Sequence, residues 1–255
     1  MVWFVGAGSG AVDLITVRGQ RLLQEADLII YAGSLVNPAL LEWAKPGTEI
    51  LNSAVMTLEE VVAAMVAAEG EGKVVVRLHT GDPSLYGAIR EQIDLLREKG
   101  IAYQVVPGVS SFSAAAAALG AEYTLPGVSQ TLILTRLAGR TPVPEGEEME
   151  RLASHGGSMA IFLSSGMLEK LQEKLLAGAY TENTPAALVY KASWPDEQVL
   201  RCTVGTLAVT GRENGIDKTA LVLVGGFLGE EYERSLLYHP GFTTGFRVGT
   251  DSHEN

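Results

Sequence analysis

The sequence predicts an α/β fold, and three observations carry that prediction. Short runs rich in valine, isoleucine and leucine alternate with longer amphipathic stretches from the first residue onward. Several of these runs stop at glycine turns, where open α/β sheets pass from strand to helix. Apolar residues make up 47% of the 255, enough for a sizeable core, and 19% charged residues is too few for a disordered chain.

Val2–Val5 is the first strand, ended by Gly6-Ala-Gly8-Ser-Gly10, and a helix is expected over Leu14–Ala26. Leu28–Tyr31 is the second strand. Thr57-Leu-Glu-Glu60 has the form of a capping box, so a helix is expected from there to Glu69. Lys73–Leu78 carries neighbouring valines, the pattern of a parallel strand buried on both faces, and stops at Gly81-Asp82-Pro83. Leu85–Lys99 reads as helix, with Gly100 placed where a left-handed residue closes one. Tyr103–Val106 is a strand broken by Pro107-Gly108, and an alanine-rich helix then runs to Gly120. After Leu125-Pro126-Gly127 the expected strands are Thr131–Thr135, Met159–Leu163, Ala186–Lys191, Gln198–Thr203 and Thr219–Val224, with Gly139–Glu148 as an exposed loop. Two α/β domains are therefore expected, 1–126 and 127–228, with 229–255 as a C-terminal extension where the periodicity is lost.

Composition excludes several function classes. A net charge of −11 argues against nucleic acid, whose phosphates require a basic surface. The single cysteine, Cys202, supplies neither a disulfide framework nor a cysteine metal cluster. No charged leader precedes the first strand, and no apolar run approaches the roughly 18 residues of a membrane span. A cytoplasmic protein with no membrane partner is expected.

The glycine turn after the first strand invites a dinucleotide-binding reading, but such a site also needs an acid at the end of the second strand to hold the ribose. That strand ends in Tyr31-Ala32-Gly33, and Asp27 stands at its beginning, on the opposite edge. A nicotinamide-dependent oxidoreductase is therefore the weaker alternative. More informative are three segments in order: Val5-Gly-Ala-Gly-Ser-Gly10, Arg77-Leu-His-Thr-Gly-Asp-Pro-Ser-Leu-Tyr-Gly87 and Val106-Pro-Gly-Val-Ser-Ser111. Each follows the carboxyl end of an expected strand, the edge where open sheets place ligands.

Together these segments resemble the tetrapyrrole methylase family, over about residues 2–228. The resemblance implies two α/β domains with a cofactor cleft between them, S-adenosylmethionine as methyl donor, a tetrapyrrole substrate and a homodimer. Four further segments resemble the branch acting at C11 of precorrin-4 or its cobalt form: Ile30-Tyr-Ala-Gly-Ser-Leu-Val-Asn-Pro38, Leu125-Pro-Gly-Val-Ser-Gln-Thr131, Thr135–Gly146 and Ser193-Trp-Pro-Asp-Glu197. Branches acting at C17 or C20, and a non-catalytic tetrapyrrole carrier, are the other readings. Ser9 departs from the family, which usually has proline there.

Matched position by position, the resemblance implies that Gly8, Ser9, Thr80, Gly81, Asp82, Leu85, Ser110 and Ser111 contact the cofactor, joined by Ser164, Ala192, Thr219 and Ala220 from further along the chain. The activated methyl needs alignment more than acid–base chemistry, so no catalytic side chain and no protein-bound metal are expected, and His79 reads as structural. Arg136, Arg140, Arg77 and Lys191 are the expected contacts to the substrate's carboxylates, for which arginine has the matching fork.

Overall fold

A computed structural model describes residues 1–250, and of Ser34 the backbone only. The chain forms two compact units, residues 1–118 with 190–198, and residues 119–189 with 199 onward.

In the first unit, β1 (Val2–Gly6), β2 (Leu28–Tyr31), β3 (Glu49–Asn52), β4 (Val75–His79) and β5 (Tyr103–Val106) form one sheet in the order β3-β2-β4-β1-β5. Its four pairings are parallel. The helices are α1 (Val17–Glu25), α2 (Leu58–Gly70), α3 (Ile89–Glu98) and α4 (Ser111–Leu119). Because side chains alternate across a strand, Val5, Ile29 and Val76 share one core with Leu22 and Leu23 of α1. Phe4, Ile30 and Val75 share another with Val62 and Met65 of α2 and Leu96 of α3. Burying a side chain of this size contributes roughly 1.5–3 kcal/mol, so both faces of the sheet secure the strands whose ends carry the loops.

Several local expectations hold. Thr57 and Glu60 form the reciprocal capping box at the start of α2, and Gly100 sits at φ +68° after α3. Two helix starts differ. The stretch expected as helix from Leu14 is a 3₁₀ turn (Val12–Leu14) followed by α1, which Thr16 caps by accepting the Gly19 amide. The helix expected from Leu85 begins only at Ile89, because Tyr86 and Ala88 take left-handed conformations, φ 54° and 48°. β3 was not expected. It is half polar and becomes a strand by pairing with β2, Leu28 against Glu49 through Tyr31 against Asn52.

In the second unit, α5 (Met149–Ala153), α6 (Leu168–Leu176) and α7 (Leu207–Glu213) accompany β6 (Leu132–Arg136), β7 (Ser158–Phe162), β8 (Pro185–Tyr190), β9 (Gln198–Thr203) and β10 (Ala220–Val224). The sheet order is β6-β7-β10-β8-β9, with β6 parallel and β10 antiparallel to β7. Met159, Ile161, Leu188 and Val222 form the core with Leu171 and Leu175 of α6 and Leu207 of α7. Beyond Gly229 the described residues are exposed except for half-buried Thr244 and Gly249, and include a short 3₁₀ turn, Leu236–Tyr238. Their contacts include the Glu233 amide donating to the Pro126 carbonyl, 3.0 Å. The last five residues of the expected extension, 251–255, lie outside the described residues. No helix among the described residues is long and apolar enough to cross a membrane.

Candidate functional site

Strand order places the three glycine segments side by side. β4, β1 and β5 are neighbours and parallel, so the loops leaving their carboxyl ends emerge together. The Ala7 amide donates to the His79 carbonyl at 2.7 Å, and Gly8 and Gly81 exchange both backbone bonds at 3.3 and 2.9 Å. The loops approach so closely that only glycine fits. A Cβ on Gly6 would lie 2.6 Å from both Gly108 Cα and the Gly81 carbonyl oxygen, and a Cβ on Gly108 only 2.1 Å from that oxygen. Gly81 itself takes φ +60°.

Asp82 ties the second loop to the third. One carboxylate oxygen accepts the amide of Ser84 at 2.8 Å and the Ser84 hydroxyl. The other accepts the Gly108 amide at 2.9 Å. Burial works against the charge, but the bonds from the Ser84 hydroxyl, the Gly108 amide and the Ser84 amide outweigh it and hold the carboxyl below the ordinary aspartate value. A depressed folded-state value means that Asp82 stabilises the loops above its unfolded value, and that this contribution is lost as pH falls through the folded one. An NMR titration of the Asp82 carboxyl, with the Gly108 amide as second reporter, is expected to give a midpoint below that of free aspartate. A midpoint at or above it would show that the carboxylate does not organise the loops.

Beside Asp82, Thr80 Oγ1 and His79 Nε2 are buried and without a hydrogen-bond partner among the described residues. Burial first, and the Arg77 charge second, push the His79 imidazole down to about 3, so it is neutral at physiological pH. A buried hydroxyl with no partner costs about 1–3 kcal/mol, and a ligand that reaches it recovers that cost.

Of the expected cofactor residues, Gly8, Ser9, Thr80, Gly81, Asp82, Leu85, Ser110, Ser111 and Ala192 all belong to the first unit. Ser110 is buried before α4, and its carbonyl accepts the Ser113 amide at 3.1 Å. Leu85 is half-buried in the loop that Asp82 shapes, its amide donating to the Asp82 carbonyl at 3.2 Å. Ala192 is buried in the 190–198 segment, whose neighbours Ser193 and Trp194 reach the first glycine turn. Sequence reading missed those two, as well as Gly108 and Asn37, which donates to the Gly10 carbonyl at 2.8 Å. The quoted motifs contained all four, but nothing local indicated their contacts.

Ser164, Thr219 and Ala220 gather on one edge of the second sheet. Ile161 pairs with Val222 in antiparallel register, which sets the end of β7 beside the start of β10. The Ser164 side chain is fully buried and used within the fold: its hydroxyl donates to the Phe162 carbonyl at 2.7 Å and accepts the Leu137 amide at 2.9 Å. Ala220 is buried, whereas Thr219 is exposed at φ 57°. The residue beside Ser164 is the unexpected one. Leu163 takes φ 53° and is 64% exposed, a strained backbone holding an apolar side chain in solvent. A leucine ending a strand gives no sequence signal of this.

The four expected substrate contacts differ in what they have free. Arg77 is 6% exposed on β4 and donates to Gln92 Oε1 at 3.0 Å and to the Ile30 carbonyl at 3.1 Å, so it braces the first unit's interior rather than facing a ligand. Desolvation lowers its guanidinium to about 10, still charged at neutral pH. Arg136 donates to the carbonyls of Thr141 at 3.2 Å and Pro142 at 2.6 Å, closing its own loop. Lys191 pairs with Asp196. Arg140 is exposed on the loop that Arg136 closes. Among the described residues, no group of histidine, cysteine or carboxylates has metal-binding spacing.

The model for the tetrapyrrole (corrin/porphyrin) methylases matches residues 1–208. The chain is 53% identical over 247 residues to the cobalt-precorrin-4 C(11)-methyltransferase of Methanocaldococcus jannaschii, covering 96% of this chain and 95% of that one. Its fold is similar to the crystal structure of a cobalt precorrin-4 methyltransferase, with a TM-score of 0.88 at 50% identity, covering 90% of this chain and 96% of that one. It is also similar to a uroporphyrin-III C-methyltransferase from Thermus thermophilus complexed with S-adenosylhomocysteine, with a TM-score of 0.73 at 26% identity, covering 89% and 98%.

Proposed function

This chain belongs to the tetrapyrrole (corrin/porphyrin) methylases, and from that membership we propose that it transfers the methyl of S-adenosylmethionine to C11 of precorrin-4 or its cobalt form. The product is the corresponding precorrin-5, in cobalamin synthesis. Near-full-length similarity to a C11-methyltransferase is the observation that carries the reading. The reading also takes the protein as a homodimer, as the resemblance implies, working in the cytoplasm.

The residues present fit an S-adenosyl cofactor. The loops at Gly6–Gly10, Thr80–Asp82 and Gly108–Ser111 pack backbone against backbone at the carboxyl edge of the first sheet, and Thr80 Oγ1 there is a buried hydroxyl with no hydrogen-bond partner among the described residues. In this reading Gly8, Thr80, Gly81, Leu85, Ser110, Ser111 and Ala192 line the cofactor, while Asp82 fixes loop shape through Gly108. Ser164, Thr219 and Ala220, which the resemblance implies as further cofactor contacts, share one edge of the second sheet with the exposed Leu163, and the Ser164 hydroxyl is bonded within the fold.

When bound, S-adenosylmethionine supplies a methyl on a sulfonium, already activated toward an electron-rich carbon. What remains for the protein is to align C11 with that methyl and to exclude water. Such positioning lowers a barrier by roughly 7–11 kcal/mol. The reading therefore assigns no general base and no nucleophile to the chain, and no protein-bound metal. The exposed guanidinium of Arg140 is the group proposed to meet the substrate's carboxylates. An oxidoreductase reading has less support: Asp27 is ion-paired with Lys45 at 2.6 Å on the far edge of the sheet, so no acid stands at the carboxyl end of β2.

Incubating the protein with precorrin-4 or cobalt-precorrin-4 and methyl-labelled S-adenosylmethionine is expected to place the label on C11, read by NMR. Label at C17 or C20 would assign a different branch of the family. No transfer to either tetrapyrrole would sink the enzymatic reading.

A further inference from the structure

We infer that Ser193 and Trp194 are positioning residues that hold the turn Gly8–Ala11 in the shape that receives the cofactor. The inference rests on the reading of that turn as part of the S-adenosylmethionine site. The Ser193-Trp-Pro-Asp-Glu197 motif is distinctive in the sequence, yet nothing in methyl transfer itself calls for this serine or this tryptophan.

A turn with glycine at 8 and 10 has wide backbone freedom, and those residues do take φ +80° and +157°. Side chains from outside the turn remove that freedom. Trp194 Nε1 donates to the Ser9 carbonyl at 3.1 Å, and Asn37 Nδ2 donates to the Gly10 carbonyl at 2.8 Å. Ser193 Oγ accepts the Ala11 amide at 3.1 Å and shares a 2.8 Å bond with the Ser9 hydroxyl. Successive residues 9, 10 and 11 are thus each held by a side chain from elsewhere in the sequence. The Trp194 ring lies so close over Gly10 that a Cβ there would fall 2.1 Å from its Cδ1.

The segment presenting these groups is itself strained. Lys191 and Ser193, neither of them glycine, take φ 47° and 68°. The strain is held locally. The Lys191 ammonium pairs with Asp196 and lies 5.3 and 5.6 Å from the ring centroids of Tyr190 and Trp194. The Ser193 amide donates to Glu197 Oε2 at 2.6 Å. Simple coverage of Gly10 needs no such backbone, because an apolar side chain on a relaxed turn would serve. The strained turn instead delivers a hydroxyl and an N–H to chosen peptide groups, which is what a site requiring one loop shape demands.

Three variants of the full chain test this: Ser193→Gly, Ser193→Ala and Trp194→Phe. Glycine relieves the left-handed backbone while deleting the hydroxyl, and phenylalanine keeps a ring over Gly10 while deleting the donor. The probe is S-adenosylhomocysteine in calorimetric titration, alongside the thermal midpoint. Ser193→Gly is expected to melt no lower than wild type yet bind the probe about tenfold more weakly, the loss of roughly one hydrogen bond. Ser193→Ala should bind as weakly while melting below Ser193→Gly. Trp194→Phe should also weaken the probe about tenfold and raise KM for S-adenosylmethionine, leaving the tetrapyrrole's KM unmoved. Wild-type affinity in Ser193→Gly and Trp194→Phe would overturn the inference, as would weakening confined to variants that also melt lower. A wild-type protein that does not bind the probe at all would overturn the cofactor reading, and the inference with it.

Discussion

Replacing Gly108 with alanine is expected to damage both the fold and cofactor binding, and more severely than the same change at Gly81. The new Cβ would lie 2.1 Å from the Gly81 carbonyl oxygen and 2.8 and 3.0 Å from Gly6 Cα and carbonyl carbon. All three neighbours are backbone, so no side chain can swing aside. Relieving the clash requires the loops to part by about 1 Å, and a displacement of that size in a positioned site costs on the order of 100-fold in rate. Overpacking of this kind costs about 1–3 kcal/mol in stability, and this site belongs at the upper end. Gly81 differs because its Cβ would meet Ser110 Cα at an ordinary 3.5 Å. There the penalty comes from the left-handed backbone, about 1–2 kcal/mol. Urea unfolding and titration with S-adenosylhomocysteine of the two variants, side by side, give the ranking. Equal or reversed losses would mean that the close approach of the three loops is not what shapes the site.

The second large effect concerns the loop arginines, and the structure separates two residues that the sequence presented as a pair. Arg140→Ala is expected to weaken tetrapyrrole binding by one to two decades while sparing S-adenosylhomocysteine, because a charge-assisted hydrogen bond is worth roughly 1.5–3 kcal/mol. Added salt should weaken the wild-type complex more than the variant's, since the lost contact is ionic and exposed. Lysine at 140 should rescue only in part, keeping the charge but not the fork. Arg136→Ala is expected to act differently, by loosening the loop whose carbonyls at 141 and 142 it now binds. Tetrapyrrole affinity left unmoved by Arg140→Ala would make that residue an ordinary solvated charge. The acidic chain would then have to meet its substrate's carboxylates elsewhere.

What the sequence alone determined is what short-range chemistry controls. Alternating apolar runs announced the α/β class, because a strand buried on both faces must be apolar throughout. The reciprocal Thr57–Glu60 cap and the left-handed Gly100 were legible because each depends on a few consecutive residues. The edge where three loops meet was legible too, since three glycine segments each followed a strand. Tertiary structure decided where long-range packing overrides local preference. β3 is a strand only because β2 pairs with it. Tyr86, Ala88 and Leu163 adopt backbone conformations their residue types disfavour, which only a surrounding fold can enforce. Arg77 looked like a ligand contact by its place at a strand end, and strand register turned its side chain to Gln92 inside the core. Residues 190–198 joined the first unit across more than half the sequence, bringing Ser193 and Trp194 onto a turn near residue 10. Such contacts carry no local signature, because their free energy exists only once both partners are folded into place.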